Sequence, residues 1–147
     1  MTYEISFLGL LISLIFISIT GYYPGGIIVP SYLILFIDQP YRLIGTLIVS
    51  LITLLIYKVT SEYFILFGKR RFVFMILCGG IISYLLSYFL PQVFPDSIEF
   101  KVIGWVIPGL IAINFDKQGI VQTFSSMAIV ITAIFFMGKL YFYVLAR

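Results

Sequence analysis

The residues of this chain that could carry chemistry are few, and almost all are charged. Lys58 and Glu62 stand one helical turn apart inside a long apolar stretch, in the lysine-first order that supports a helix less well. Ionisable side chains in such a stretch are functional candidates by default, although both lie close to a charged loop and can snorkel toward it. That loop, Lys69-Arg70-Arg71, is the densest cluster of charge in the sequence, suited either to set membrane orientation or to hold an anionic partner. Two further carboxylates, Asp38 and Asp116, each follow a proline by eight residues. They read either as a symmetric pair or as the closing residues of two short helices.

Other chemistries are excluded by what is missing. The chain has no histidine, which removes imidazole acid–base catalysis and most zinc sites. Its one cysteine, Cys78, lies in an apolar segment and reads as a small buried hydrophobe, so no disulfide can form within the chain. There is no glycine-rich phosphate loop carrying a lysine, no metal-ligand cluster and no serine triad. A non-catalytic protein without cofactor or metal of its own is expected, and no nucleic-acid partner. The start of the chain has neither a basic n-region nor a clear small-x-small cleavage site, so no removable signal peptide is expected.

The elements that position these residues follow from hydropathy. The 147 residues are 62% hydrophobic and 10% charged, against about 25% charged in a soluble domain. No charge occurs between Ile5 and Ile37, a run longer than the roughly 20 residues needed to cross a bilayer. An all-α integral membrane protein is expected, a single transmembrane domain over residues 1–147. Full spans are expected over Ile5–Ile19, Leu43–Phe67, Phe72–Leu90 and Ile120–Tyr143. Gly79 and Gly80, in the middle of the third, read as sites of close helix approach.

Between these spans the chain repeats a phrase. Gly26, three apolar residues, Pro30 and then Asp38 recur as Gly104, three apolar residues, Pro108 and then Asp116, at a constant offset of 78 residues. Gln39 and Gln118 lie beside the acids, and Gly109 follows the second proline. The halves, about 1–68 and 72–147, are joined by the basic loop 69–71 and suggest an internal duplication. Each phrase sits in a short apolar segment, Ile27–Ile37 or Val102–Phe115. The first, as a helix, would rise only about 16 Å, roughly half a bilayer. Two broken, re-entrant half-helices are therefore expected, with about four full crossings and with the basic loop and both termini on the cytoplasmic side. In the alternative, the short segments cross, each half has three crossings and the repeats are inverted. Bent backbone at membrane depth usually lines a cavity or a path, which points to passage or a binding cleft without naming what passes.

A family resemblance gives this content. Thr20-Gly21, Pro24, Gly26, Val29-Pro30, Tyr32-Leu33 and Phe36 with Gln39-Pro40 resemble the first signature of the poly-γ-glutamate capsule biosynthesis protein C family (CapC, also PgsC). Ile65 through Phe72 resemble its basic loop, and Glu99-Phe100-Lys101, Ile103-Gly104, Ile107 through Ala112 and Gln118-Gly119 its last signature. That family typically has asparagine where Asp38 stands and glutamine where Asp116 stands, so Gln39 and Gln118 become the better functional candidates.

The resemblance implies a membrane subunit of the complex that makes and exports poly-γ-glutamate in the bacterial cell membrane. Its expected partners are a cytoplasmic ligase similar to the Mur ligases, which supplies ATP and divalent-metal chemistry, a membrane-anchored export component, and further copies of itself. A polyglutamate chain carries about one negative charge per residue and is far too costly to place in hydrocarbon. Lys69, Arg70 and Arg71 at the mouth, extended by Lys58, Lys101 and Lys117, would give it a cationic route. The rival readings are a free-standing transporter of a small anion or amino acid, and a pure membrane anchor for the ligase.

Overall fold

The computed structural model describes residues 2–93 and 104–146, and these fold into six α-helices in order. They are α1 (Thr2–Thr20), α2 (Val29–Leu35), α3 (Pro40–Tyr63), α4 (Lys69–Val93), α5 (Ile107–Gln118) and α6 (Ile120–Leu145). Among the described residues, three helical stretches are long and apolar enough to cross a membrane: Pro40–Tyr63, Lys69–Phe89 and Ile120–Leu145. Glu4–Thr20 is apolar but shorter.

The two prolines of the repeated phrase start helices instead of breaking them. Pro30 is the second residue of α2 and Pro108 the second of α5. The first turn tolerates proline because its amide hydrogen would have no partner there, and its fixed φ suits the helix. The expected eleven-residue helix with Pro30 in its middle is thus seven residues long, preceded by a bent strand of chain. Gly25 (φ +75°), Gly26 (φ +125°) and Gly104 (φ +65°) make those bends in the left-handed region, which favours glycine. The residues capping α2 and α5, Ile28 (φ −83°, ψ −29°) and Val106 (φ −91°, ψ −30°), share one backbone conformation. They are also equivalent positions at the 78-residue offset.

Contacts fix the direction of each helix. Gly109 of α5 lies against Ile76 and Gly79 of α4, while Asp116, later in α5, meets Arg71, earlier in α4. The two are antiparallel. Helix α1 runs against α6, since Glu4 and Ile5 share a groove with Gly138, Tyr141, Phe142, Leu145 and Ala146, whereas Tyr23, just past α1, meets Gln118, just before α6. The chain from Gly25, beside Met127, to Ile34, packed on Val130 and Ile134, follows α6 and so retraces α1, with Ser31 against Gly9. Helices α1 and α4 each pack on the short helix that follows, and α2 packs on α6 as α5 packs on α3.

One cluster centres on α5, with Ile107, Ile111, Ala112, Ile113 and Phe115 against Val29, Leu54, Met75 and Met127. Most buried hydroxyls in the bundle satisfy themselves along their own helix: Ser13 donates to the Gly9 carbonyl, Thr53 to Val49 and Ser83 to Gly79. An apolar surround offers no water to do this. The glycine pair expected to permit close approach does so. A methyl group on Gly79 would lie 2.8 Å from the amide nitrogen of Gly109, so α4 and α5 cross backbone to backbone.

Candidate functional site

The bundle has two chemically different ends. At one lie the start of α1, the α2–α3 turn and the close of α6; among the described residues it carries Glu4, Asp38, Arg42 and Lys139. Among the described residues the other, the basic end, gathers Lys58, Lys69, Arg70, Arg71 and Lys117 with two carboxylates, Glu62 and Asp116. The described chain ends therefore lie opposite the basic loop, where the sequence reading had placed all three together.

The charges at the basic end work against the helices that carry them. Lys69, Arg70 and Arg71 occupy the first turn of α4, where the helix dipole is positive. Asp116 lies near the end of α5, where the dipole is negative. The two mismatches are joined: Arg71 Nη1 donates to Asp116 Oδ2 at 2.8 Å, with side chains 25% and 19% exposed. Asp116 is thus the partner of Arg71 and not of Asp38. The latter is exposed in the turn after α2, at the far end of the bundle, because α2 and α5 run in opposite directions.

Gln118 holds the site together across the two halves. Its Oε1 accepts the Tyr23 amide hydrogen at 3.0 Å, and its Nε2 donates to the Tyr23 carbonyl and, at 3.1 Å, to Thr123 Oγ1. One carboxamide therefore pairs both backbone groups of a residue in the irregular chain after α1. Thr123 is fully buried and its hydroxyl also contacts the Gly119 carbonyl. Replacing Gln118 with alanine leaves the Tyr23 amide hydrogen to water, while the Tyr23 carbonyl keeps the Gly25 amide hydrogen, an expected loss of roughly 0.5–1.5 kcal/mol for exposed hydrogen bonds. Melting of the purified protein checks this, and Gln118→Glu, which lacks the donor, should recover little of it.

The structure gathers Lys69, Arg70, Arg71, Lys117 and Gln118 around the α3–α4 connection and the α5–α6 turn, with Lys58 exposed on the last turns of α3. Gln39 is exposed at the opposite end, before α3, and Lys101 lies outside the described residues. Tyr23, Asn114 and Thr123 escaped the sequence reading. Tyr23 acts through its backbone groups, Thr123 through a hydroxyl that meets Gln118 and the Gly119 carbonyl, and Asn114 through a bond to the Leu110 carbonyl one turn earlier. Only the positions of Asn114 and Thr123 on either side of Gln118 hinted at them.

An all-helical bundle of membrane-spanning character, with one strongly basic end and two short proline-started helices, is the class this fold defines. Comparison with known proteins makes it specific. The sequence profile of the family described as Capsule biosynthesis CapC matches residues 8–124. A "PGA biosynthesis protein CapC" of Bacillus subtilis (strain 168) is 39% identical over 136 residues, covering 92% of this chain and 91% of that one. The "Capsule biosynthesis protein CapC" of Bacillus anthracis is 34% identical over 136 residues, with the same coverage. The chain belongs to the CapC family. No solved structure matches it.

Proposed function

We propose that this chain is a non-catalytic membrane subunit of a poly-γ-glutamate synthase and export complex. A cytoplasmic ligase supplies ATP, divalent metal and peptide-bond chemistry. This chain receives the growing polyanion at its basic end and supports its passage, together with further copies of itself and an export component. The observation that carries the reading is the gathering of five cations against two carboxylates at one end of an otherwise apolar bundle. The names of the two relatives support the pathway.

The same geometry supports the crossing alternative for the short segments. The bent chain and α2 retrace α1, α5 retraces α4, and the neighbour relations of α1, α2 and α3 largely repeat in α4, α5 and α6. These relations support three crossings per half and an inverted repeat. The positive-inside rule then places the basic end in the cytoplasm and the chain ends outside. A cysteine introduced at Lys117 should react with an impermeant thiol reagent in inside-out vesicles and not in intact cells, in a Cys78→Ala background. Re-entrant segments with a cytoplasmic loop would give the reverse. Inverted repeats with broken helices also occur in small-solute transporters, and this observation keeps an anion transporter as the second reading.

The synthase reading is tested in inside-out vesicles containing the ligase, with or without this chain, given ATP and labelled glutamate. Lumenal polymer that depends on this chain is expected. Equal polymer on equal sides without it contradicts the reading and favours the transporter.

A further inference from the structure

The α3–α4 connection carries large apolar side chains that nothing in the bundle covers. Tyr63, Phe64, Ile65 and Phe67 are 81%, 67%, 80% and 79% exposed. Phe64 is extended (φ −124°, ψ 139°), and the turn is closed by Gly68 at φ +60° with open space around it. Lys58 and Glu62 lie on the last turns of α3, and Tyr63 stands about 7 Å beyond Lys58 along the helix axis. The candidate span closes at Tyr63, so Phe64, Ile65 and Phe67 follow it at the membrane boundary on the basic, water-facing side. Lys69 and Arg70, both exposed, come directly after them.

Aromatic side chains beside arginine, open to water, are the composition of interface anchors. The cations next to them fix the complementary surface as acidic. We propose that residues 63–67 form a docking knob for a soluble protein that offers an apolar socket rimmed by carboxylates, with Phe64, Ile65 and Phe67 entering the socket and Lys69 and Arg70 meeting the rim. The inference rests on the reading that the basic end faces a cytoplasmic glutamate ligase, and that ligase is the partner tested.

The experiment uses the full chain in nanodiscs of phosphatidylcholine and phosphatidylglycerol, with an environment-sensitive fluorophore on Ile65→Cys in a Cys78→Ala background. Without ligase, the label should be quenched by aqueous iodide and not by brominated acyl chains. Purified ligase should then shift its emission and shield it. Phe64→Ser with Phe67→Ser should weaken ligase binding about 30-fold, as expected of two anchors. Lys69→Ala with Arg70→Ala should weaken it about 10-fold and remove most of its salt dependence. Quenching by the brominated chains overturns the proposal, because the membrane then covers the tip. So does ligase binding that survives both serine substitutions, an outcome that leaves the proposed function standing. Ligase that does not bind while polymer still depends on this chain also overturns the docking proposal alone.

Discussion

Gly109→Leu is expected to prevent the folded protein from accumulating, and Gly109→Ala to lower its stability by roughly 3 kcal/mol, the upper part of the range for overpacking. A methyl group at Gly109 would lie 2.7 Å from Ile76 Cα and 2.9 Å from the Met75 carbonyl oxygen. Both are backbone atoms of α4, so no rotamer change relieves the clash and the helices must separate. Gly79, on the other side of the crossing, should behave in the same way. Gly138 has nothing within 4 Å of an added methyl group, and Gly138→Ala should be neutral or stabilise slightly through helix propensity. Melting of detergent-solubilised protein, followed as loss of the monodisperse peak, checks the series. Equal melting of Gly109→Ala and the native chain would show that α4 and α5 do not cross there.

The second large effect concerns the Arg71–Asp116 pair, and here single and double substitutions should differ in kind. Arg71→Met alone leaves a mostly buried carboxylate at the negative end of α5, and Asp116→Asn alone leaves three uncompensated cations at the positive end of α4. Each should cost about 2–3 kcal/mol, somewhat below the loss from breaking a fully buried pair. Both together remove the two mismatches at once and should cost less than either, because a paired charge out of water gives little net stability. A double-mutant cycle on melting measures the coupling, expected at about 2 kcal/mol or more. Additive losses would show that the contact contributes nothing beyond its separate charges.

The long helices were legible because their signal is long. Runs of apolar residues bounded by charge or glycine gave α3, α4 and α6 to within a few residues, and the glycine pair at the middle of α4 gave the crossing. The short helices were harder. Proline reads as a helix breaker until its place relative to the first turn is known, and that place is fixed by the glycine bends at Gly26 and Gly104. The basic loop was visible as a cluster. Its partner Asp116 was not, since it lies 45 residues downstream of Arg71 and only the antiparallel return of α5 brings them together. Gln118 was singled out as a functional candidate, but its contact with the Tyr23 backbone was not legible. Backbone partners leave no side-chain signature to read.

The basic end therefore combines two layers. Arg71, Asp116 and Gln118 hold the turn regions of the two halves in place, and Lys69, Arg70 and Lys117 remain exposed at the surface. Only the second layer is available to a polyanion. Charge reversal there is the decisive test: Lys69→Glu, Arg70→Glu and Lys117→Glu together, in inside-out vesicles with ATP, labelled glutamate and enough ligase to saturate the variant, so that weakened docking does not stand in for lost passage. Helicity and melting should stay close to native, since none of the three is part of the Arg71 or Gln118 contacts, and lumenal polymer should fall at least about 10-fold, for three like charges set against the chain. Native amounts of lumenal polymer from the well-folded variant would contradict the account.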